Sequence, residues 1–363
     1  VYLALFLLSV IGNIFVIITI LGKRHLANRS ITNFYLLNLA IADLLRSLVC
    51  IPSTLVSEIY RCWMFGAVMC KLSAFLQPVG VCASAYTLVV IAVERYYAIC
   101  KPLHSRNWHT KKRSIILLVI VWILSLFTNS ISLFIFELKE SKSHVSCRPI
   151  YETAPMFFYQ LYITMVFLFI PLTMMIALYG NVIYTLNTAI ENQEINSKLI
   201  EKIPTDRSAS ITEWFMTAVR TNRLSETLDT IRSGKCSSRS SFMINSPSSP
   251  LTPLSDHTQM QSNTFLRSSN QERILIAKRK VTRMLITIVV LFAACWTPSY
   301  FWWLIVRFGD AMGLTIWDSG LNTTLTLLTY ISSCTNPLTY CFMNKSFRRA
   351  LLSYFRKTRK PKV

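Results

Sequence analysis

The chain has 363 residues, of which 52% are hydrophobic and only 15% are charged. Soluble domains carry roughly 25% charged residues, so this composition excludes an ordinary soluble protein and indicates one embedded in a membrane. The net charge of +21 could indicate nucleic-acid binding, but the basic residues lie at the ends of apolar segments, which is typical of a multi-span membrane protein.

Long apolar stretches recur along the chain and set its architecture. A helix needs about 20 mainly apolar residues to cross a bilayer. Seven stretches qualify, in chain order: 1–21, 32–55, 69–99, 114–136, 156–186, 281–306 and 320–342. We therefore predict an all-α membrane protein, a seven-transmembrane helix bundle surrounded by the lipid bilayer. The first five helices occupy residues 1–186, and the last two occupy residues 279–342.

The charge of the connections predicts the orientation. The links after the first and third predicted helices are basic, with Arg24 and Lys111 among their residues, and Lys and Arg recur between residues 345 and 362. Basic connections of this kind lie on the cytoplasmic side. We therefore predict a multi-pass protein of the plasma membrane, with an extracellular N-terminus, a cytoplasmic C-terminus and no nucleic-acid partner.

Two regions differ in composition from the predicted helices. Residues 187–278 are rich in Ser, Thr, Asn and Gln, which predicts a long third cytoplasmic loop that is largely disordered. Residues 343–363 contain an apolar stripe at Phe347, Leu351 and Phe355, with basic residues beside and after it. This spacing predicts a short amphipathic eighth helix in the membrane interface, followed by a basic cytoplasmic tail.

Three cysteines lie in the predicted extracellular connections. Cys70 begins the third predicted helix, and Cys147 lies in the loop after the fourth. Because that compartment is oxidising, a disulfide between them would hold the loop over the mouth of the bundle. Cys62 is then left over, and it either pairs with a segment outside this sequence or stays free.

Charged residues mark the cytoplasmic end of the third predicted helix, at Glu94-Arg95-Tyr96. Charge so close to the membrane core is costly and usually functional, although a solvated ion pair is the simpler alternative. Arg95 cannot lose its charge and needs a partner, which Glu94 can supply. Release of Arg95 to a cytoplasmic protein would then be a two-state switch.

Prolines lie inside the fifth, sixth and seventh predicted helices, at Pro171, Pro298 and Pro337. A proline in a spanning helix frees a backbone carbonyl and kinks the helix. Asn336 can supply the missing hydrogen bonds beside Pro337, and the bulky Trp296 lies close to Pro298. A single prolyl kink is weak evidence because prolines are common in membrane helices, but the set of three kinks together is strong evidence.

Asp43 lies in the middle of the second predicted helix as an isolated carboxylate. A carboxylate at that depth is costly unless it is paired or protonated. Ser84 and Asn336 are polar residues at a similar depth in the third and seventh predicted helices. A small monovalent cation could lie among the three side chains; the alternative is a protonated Asp43 that is hydrogen-bonded to the same groups.

Together these residues resemble the pattern of rhodopsin-like G-protein-coupled receptors, over nearly the whole chain outside residues 187–270. The motifs that carry the resemblance fall in the expected helices and order: Gly12-Asn13, Asn38 to Asp43, Trp63 to Gly66, Glu94-Arg95-Tyr96, Trp122, Pro171, Tyr179, Phe292, Cys295 to Pro298 and Asn336 to Tyr340. Within that superfamily the chain is most similar to cholecystokinin/gastrin-type peptide receptors, in residues 94–110, 277–298 and 332–347.

The resemblance implies a receptor and not an enzyme, with a heterotrimeric G protein, arrestin and receptor kinases as cytoplasmic partners. Coupling to the G protein, with the Gq class favoured, is implied for Glu94, Arg95, Tyr96 and Tyr179. The implied activation switch comprises Phe292, Trp296, Pro298, Asn336, Pro337 and Tyr340. No cofactor is implied, except for a sodium ion at Asp43, Ser84 and Asn336 as an allosteric modulator.

The resemblance also implies an extracellular peptide ligand, a neuropeptide or hormone of the cholecystokinin, gastrin or sulfakinin kind. The positions implicated in binding are Gln77, Arg148, Tyr300, Trp303, Arg307 and Tyr330. Cholecystokinin receptors use an arginine after the loop cysteine to meet a sulfated tyrosine, and Arg148 matches it; guanidinium and sulfate make a bidentate contact. Their asparagine and arginine near the top of the sixth helix are replaced here by Trp303 and Val306. Arg307 is one residue further on and would face about 100° away.

Other classes of function fit less well. A transporter tends to show inverted repeats and helices broken at the midplane, and the sequence shows neither. An enzyme would need a nucleophile beside a base or a metal-ligand cluster, whereas the five histidines lie in connections. The same fold with a different peptide or a lipid as its ligand is the main alternative, since aromatic residues near the mouth also fit the aromatic belt of a membrane interface.

Overall fold

The computed structural model describes residues 1–22, 31–102, 110–141, 144–151, 153–201, 256–343 and 347–349. Its helices are α1 (Tyr2–Gly22), α2 (Ile31–Tyr60), α3 (Gly66–Cys100), α4 (Lys111–Asn129), α5 (Ser132–Ile135), α6 (Ala154–Thr164), α7 (Ile170–Glu201), α8 (Asp256–Ala311) and α9 (Ser319–Met343). A π-helical turn, Met165–Phe169, joins α6 to α7. The strands β1 (Phe136–Ser141) and β2 (His144–Pro149) lie between α5 and α6.

The described helices cover the seven predicted transmembrane stretches. Six helical stretches are long and apolar enough to cross a membrane, and α6, the π turn and α7 together form the fifth of them. The seventh predicted stretch is α9, whose 25 residues are less apolar because Ser, Thr and Asn recur along it. The helical prediction is confirmed. The antiparallel hairpin of β1 and β2 is an addition that the sequence prediction did not contain.

The chain divides into two compact units, Val1–Leu186 with Ile276–Val363, and Asn187–Leu275. In the second unit the described residues are helical, in the end of α7 and the beginning of α8, where disorder was predicted. Extending an existing helix avoids the cost of nucleating a new one. The centre of the predicted loop, residues 202–255, lies outside the described residues, as does the predicted eighth helix except for residues 347–349.

The central helix of the first unit is α3. In its most apolar 18-residue stretch 67% of the residues are buried. In the corresponding stretch of the span Lys111–Ile135, which contains α4, 22% are buried. The peripheral helix α4 instead presents Ile115, Val119, Ile123 and Phe127 at a spacing of four, each at least half exposed. A continuous apolar stripe on a spanning helix suits contact with lipid tails. Thus α3 lines the interior, and α4 faces the bilayer.

Buried polar side chains hold neighbouring helices in register. Asn38 of α2 donates to Thr87 Oγ1 of α3 at 2.8 Å, and Trp122 Nε1 of α4 donates to Asn38 Oδ1 at 2.7 Å. Asn13 Nδ2 of α1 donates to the backbone oxygen of Ser333 in α9 at 3.1 Å. Lipid offers these groups no alternative partner, so each bond fixes how two helices meet.

Pro171, Pro298 and Pro337 lie within long helices, as predicted. Pro171 follows the π turn directly; because proline lacks an N–H and crowds the preceding turn, a wider turn accommodates it. Pro298 and Pro337 lie inside α8 and α9. A Cβ at Gly12 would lie 3.1 Å from two atoms of the Pro337 ring, so glycine lets α1 approach α9 closely at Pro337.

Candidate functional site

The hairpin of β1 and β2 is covalently fixed to the start of α3. Cys147 of β2 forms a disulfide with Cys70, with 5.6 Å between the two Cα atoms, so the predicted disulfide is confirmed. The backbone N–H of Trp63 also donates to the oxygen of Val145 at 2.7 Å. Cys62 has a free thiol beside this anchor. The hairpin therefore has a fixed position at one end of the bundle.

A cavity of about 310 Å³ lies beside this hairpin, which is the size of a small-ligand pocket. It is bounded by α3, β1, α6, α8 and α9, and its lining is mostly apolar. The residues that matter most for its chemistry are Gln77, Phe136, Tyr159, Gln160, Trp296, Tyr300, Trp303 and Arg307. Aromatic rings with a few polar groups among them suit a ligand that carries aromatic side chains.

Four of the six predicted ligand-binding residues line this cavity: Gln77, Tyr300, Trp303 and Arg307. Arg307 faces about 100° away from Val306, and it lies one turn beyond Trp303, where residues four apart share a helix face. Its guanidinium lies 5.3 Å from the centre of the Trp303 ring and donates to Asp310 at 3.2 Å. Trp303 also packs against Trp317, with 5.6 Å between ring centres. The cavity therefore keeps a guanidinium at its wall.

The other two predicted residues, Arg148 and Tyr330, lie outside the lining. Arg148 is exposed and lies opposite Glu137 in the hairpin. Successive residues of a strand point to opposite faces, so Arg148 points away from the face on which Cys147 meets α3. Tyr330 is 1% exposed, and its hydroxyl lies 2.7 Å from Thr54 Oγ1. A ligand contact at Tyr330 would require this packing to change.

Trp296 forms the floor of the cavity and connects it to deeper layers of the bundle. Its Nε1 donates to Ser332 Oγ of α9 at 3.2 Å. Its ring centre lies 6.2 Å from that of Phe292 and 5.8 Å from that of Tyr300. Pro298 lies half a turn away in α8, and a proline inside a helix is the usual position of a kink.

Below Trp296 lies a buried cluster of charged and polar side chains. Asp43 is 2% exposed, and its Oδ2 accepts a hydrogen bond from Asn336 Nδ2 at 2.7 Å. Its Oδ1 pairs with Arg46 Nη2 at 3.3 Å, and Arg46 is also 2% exposed. Arg46 also donates to Ser333 Oγ. Ser84 Oγ borders the same space and has no hydrogen-bond partner among the described residues. Asp43 is therefore not the isolated carboxylate that was expected.

The predicted coupling residues of α3 are held by α2. Glu94 is 4% exposed and accepts a hydrogen bond from the Tyr35 hydroxyl at 3.2 Å. Arg95 donates to Thr32 Oγ1. Both partners come from the first turns of α2. Partners outside Glu94-Arg95-Tyr96 therefore hold two of its three residues.

Three tyrosines lie near this end of the bundle. Tyr179 of α7 and Tyr340 of α9 are 5% and 1% exposed. Tyr340 packs against Phe347, with 6.2 Å between ring centres, and its hydroxyl has no hydrogen-bond partner in the part of the chain described. Tyr96 is half-buried, with Lys101 Nζ 5.9 Å from its ring centre. Tyr179 and Tyr340 are thus placed in the core, where a helix movement would rearrange them.

Comparison with known families decides among the classes of membrane protein. The model of the seven-transmembrane receptors of the rhodopsin family matches residues 12–340. The chain belongs to the rhodopsin family of seven-transmembrane receptors. It is therefore a multi-pass membrane receptor and not an enzyme, and the transporter alternative is excluded.

Its similarity to individual receptors is modest in identity but extends over the whole chain. The cholecystokinin receptor of Xenopus laevis is 33% identical over 377 residues, covering 99% of this chain and 77% of the relative. The human cholecystokinin receptor type A is 30% identical, covering 98% and 79%. The rat gastrin/cholecystokinin type B receptor is 30% identical, covering 97% and 77%. The receptor is thus a G-protein-coupled receptor of the cholecystokinin/gastrin receptor type.

A sodium ion at Asp43, Ser84 and Asn336 does not fit this arrangement of the receptor. Both oxygens of Asp43 already accept hydrogen bonds, from Arg46 and Asn336. A second cation on that carboxylate would lie about 4 Å from the guanidinium, where like charges repel by about 4 kcal/mol at an effective dielectric constant of about 20. The space left beside Ser84 has the size of a single water molecule. The geometry favours Arg46 over sodium as the cation beside Asp43.

Arg46 was not among the residues that the sequence singled out. An arginine three residues after a buried aspartate, inside an apolar run, was the available signal, because residues three apart meet on a helix surface. The contacts with Ser333 and Trp296, by contrast, join residues that are far apart in the chain. Only the packed bundle brings them together.

Proposed function

We propose that this receptor binds an extracellular peptide of the cholecystokinin, gastrin or sulfakinin kind and then activates a heterotrimeric G protein. The observation that carries the proposal is the cavity of about 310 Å³ beside the disulfide-anchored hairpin, with aromatic walls and Trp296 as its floor. A peptide residue with an aromatic side chain would fill it, while the rest of the peptide would extend over the hairpin. The similarity to cholecystokinin receptors supports the same class of ligand.

Two guanidinium groups suit acidic groups of such a peptide. Arg307 is at the cavity wall, where its pairing with the half-exposed Asp310 is weak enough to be exchanged. Arg148 is exposed on the hairpin, on the face opposite to that of Cys147, where a peptide that extends over the hairpin would meet it. A guanidinium holds a carboxylate or a sulfate through two parallel hydrogen bonds. We assign contacts with the peptide to Gln77, Tyr300 and Trp303 as well.

Activation follows from the position of Trp296. Pressure from the ligand would shift Trp296 and Phe292, and α8 would swing outward about the bend at Pro298. The polar cluster around Asn336 and the bend at Pro337 would follow. At the cytoplasmic end, Arg95 would leave Thr32 and meet the G protein, with Tyr96 beside it and Tyr179 and Tyr340 rearranging around it. The G protein is of the Gq class in this proposal, and arrestin and receptor kinases act on the same activated face.

This orientation requires an extracellular N-terminus, a cytoplasmic C-terminus and a place in the plasma membrane. The basic links after α1 and α3 support it, because basic connections stay in the cytoplasm. The disulfide supports it too, since it joins Cys70 to Cys147 at the opposite end from Arg95, and disulfides form on the oxidising side.

The test of the proposed function is calcium release in cells that express the receptor, with sulfated and unsulfated cholecystokinin-like peptides applied in parallel. A concentration-dependent response would support both the ligand class and Gq coupling. The matched control is Arg95→Ala, which should bind peptide without releasing calcium. If neither peptide releases calcium although an epitope tag demonstrates surface expression, the ligand belongs to another peptide family or is a lipid.

We predict that Arg148→Ala weakens the response to a sulfated peptide by about 10- to 100-fold, the value of a charge-assisted hydrogen bond. The unsulfated form should lose much less. Dose–response curves for the two forms measure the difference. Lys139→Ala removes another cation from the same hairpin and should change neither curve. If Arg148→Ala weakens both forms equally, Arg148 does not bind sulfate.

A further inference from the structure

A buried arginine lies in the membrane core and has no part in the proposed binding or coupling. Arg46 is 2% exposed and lies within the span of α2. Ionised side chains at this depth are among the costliest residues of a membrane protein, so they are paired and mark functional positions. What Arg46 touches therefore indicates what it does.

The guanidinium of Arg46 connects three helices. It pairs with Asp43 Oδ1 at 3.3 Å within α2 and donates to Ser333 Oγ of α9. Its central carbon lies 4.9 Å from the centre of the Trp296 ring of α8, which is the geometry of a cation–π contact. Arg46 Nε has no hydrogen-bond partner within the described residues. Thus the guanidinium touches both the central carboxylate and the floor of the ligand cavity.

Charge balance explains why the guanidinium lies there. Asp43 and Arg46 together are neutral, and the second oxygen of Asp43 is occupied by Asn336. An added sodium ion would leave a net positive charge in a buried site. It would also have to displace a cation that is covalently attached to the same helix and therefore has a high effective concentration.

We infer that Arg46 is a built-in cation of this receptor: its guanidinium takes the position that a mobile sodium ion would hold beside Asp43. The resting state is then stabilised without sodium, and the receptor does not respond to sodium concentration. Because the same group lies on Trp296, any ligand that moves Trp296 acts directly on the charge beside Asp43. The inference does not depend on which peptide binds.

The test measures the thermal unfolding of the purified full chain in lipid nanodiscs, in sodium chloride and in choline chloride at an equal ionic strength of about 0.15 M. The wild-type receptor should unfold at the same temperature in both salts. Arg46→Met keeps the apolar stem but removes the charge, and it should unfold about 3–6 °C higher in sodium than in choline, the shift expected for a ligand well above its dissociation constant.

Two further variants separate charge from size. Arg46→Lys retains a cation of different shape and should remain insensitive to sodium. Asp43→Asn with Arg46→Met removes the carboxylate as well, so the sodium response of Arg46→Met should disappear in it. Both variants are scored in the same pair of salts.

Two outcomes overturn the inference. A sodium-dependent rise in the unfolding temperature of the wild-type receptor means that sodium binds beside Arg46. If Arg46→Met folds and its unfolding temperature is the same in sodium and in choline, the guanidinium was not occupying a sodium position. If Arg46→Met does not fold, the inference is tested by basal guanine-nucleotide exchange in membranes that contain the wild-type receptor. The rate of exchange should be equal in sodium and in choline. A lower rate in sodium contradicts the inference. Each result stands whether or not the receptor responds to a cholecystokinin-like peptide.

Discussion

Asp43→Asn alone is expected to destabilise the receptor more than Asp43→Asn combined with Arg46→Met. The single change leaves the Arg46 guanidinium buried without a counter-charge, and breaking one side of a buried pair costs about 3–5 kcal/mol. The double change removes both charges, and apolar or neutral replacements of a buried pair are often close to neutral. Thermal or denaturant unfolding of the four forms in a double-mutant cycle gives the coupling free energy between the two residues.

The receptor contains its own control for this prediction. Arg307 and Asp310 are also three residues apart, with 3.2 Å between their charged atoms, but their side chains are 19% and 37% exposed. Exposed pairs contribute about 0–1 kcal/mol, so the cycle of Arg307→Met and Asp310→Asn should show little coupling. If the Asp43 and Arg46 losses simply add, or if their coupling is no larger than that of the exposed pair, Arg46 is not neutralised by Asp43 in the folded receptor.

Much of the fold could be predicted because each element leaves a local pattern in the sequence. The spans follow from the length of apolar runs, and the disulfide of Cys70 and Cys147 was expected from their places at the start of the third helix and in the loop after the fourth, both on the oxidising side. The hairpin could not be predicted in the same way. Its strands are six residues each, and their pairing depends on anchors at Cys70 and Trp63 that lie elsewhere in the chain.

The candidate site could likewise be predicted only in part. The resemblance to peptide receptors indicated Gln77, Tyr300 and Trp303 as ligand-binding residues, and all three line the cavity. The direction of a side chain is a property of the packed structure, which is why Arg148 lies outside the cavity lining and points away from the disulfide face although it was predicted to bind ligand. The role of Arg46 could be recognised only in the packed bundle, because three helices meet around its guanidinium.

The second large effect is expected at the cytoplasmic end, where Arg95→Ala should abolish activation of the G protein while leaving peptide binding intact. Arg95 keeps its charge at any physiological pH, so its partner decides the state of the receptor. In the structure Thr32 accepts its hydrogen bond, and Tyr35 donates to the neighbouring Glu94. Guanine-nucleotide exchange, measured with and without peptide, reports activation, and radioligand binding reports the intact site.

Loss of the hydrogen bonds that hold Arg95 and Glu94 is expected to have the opposite effect and to raise basal activation of the G protein. Thr32→Val and Tyr35→Phe each remove one hydrogen bond that holds the resting state, which is worth about 0.5–1.5 kcal/mol and should raise basal nucleotide exchange by about 2- to 10-fold. Tyr330→Phe removes another buried tyrosine hydroxyl, next to Thr54, and should leave basal exchange unchanged. If Thr32→Val and Tyr35→Phe leave basal exchange at the wild-type level in receptors that still signal, α2 does not restrain Arg95. The restraint would then have to come from within α3, which Glu94→Gln would expose as a rise in basal exchange.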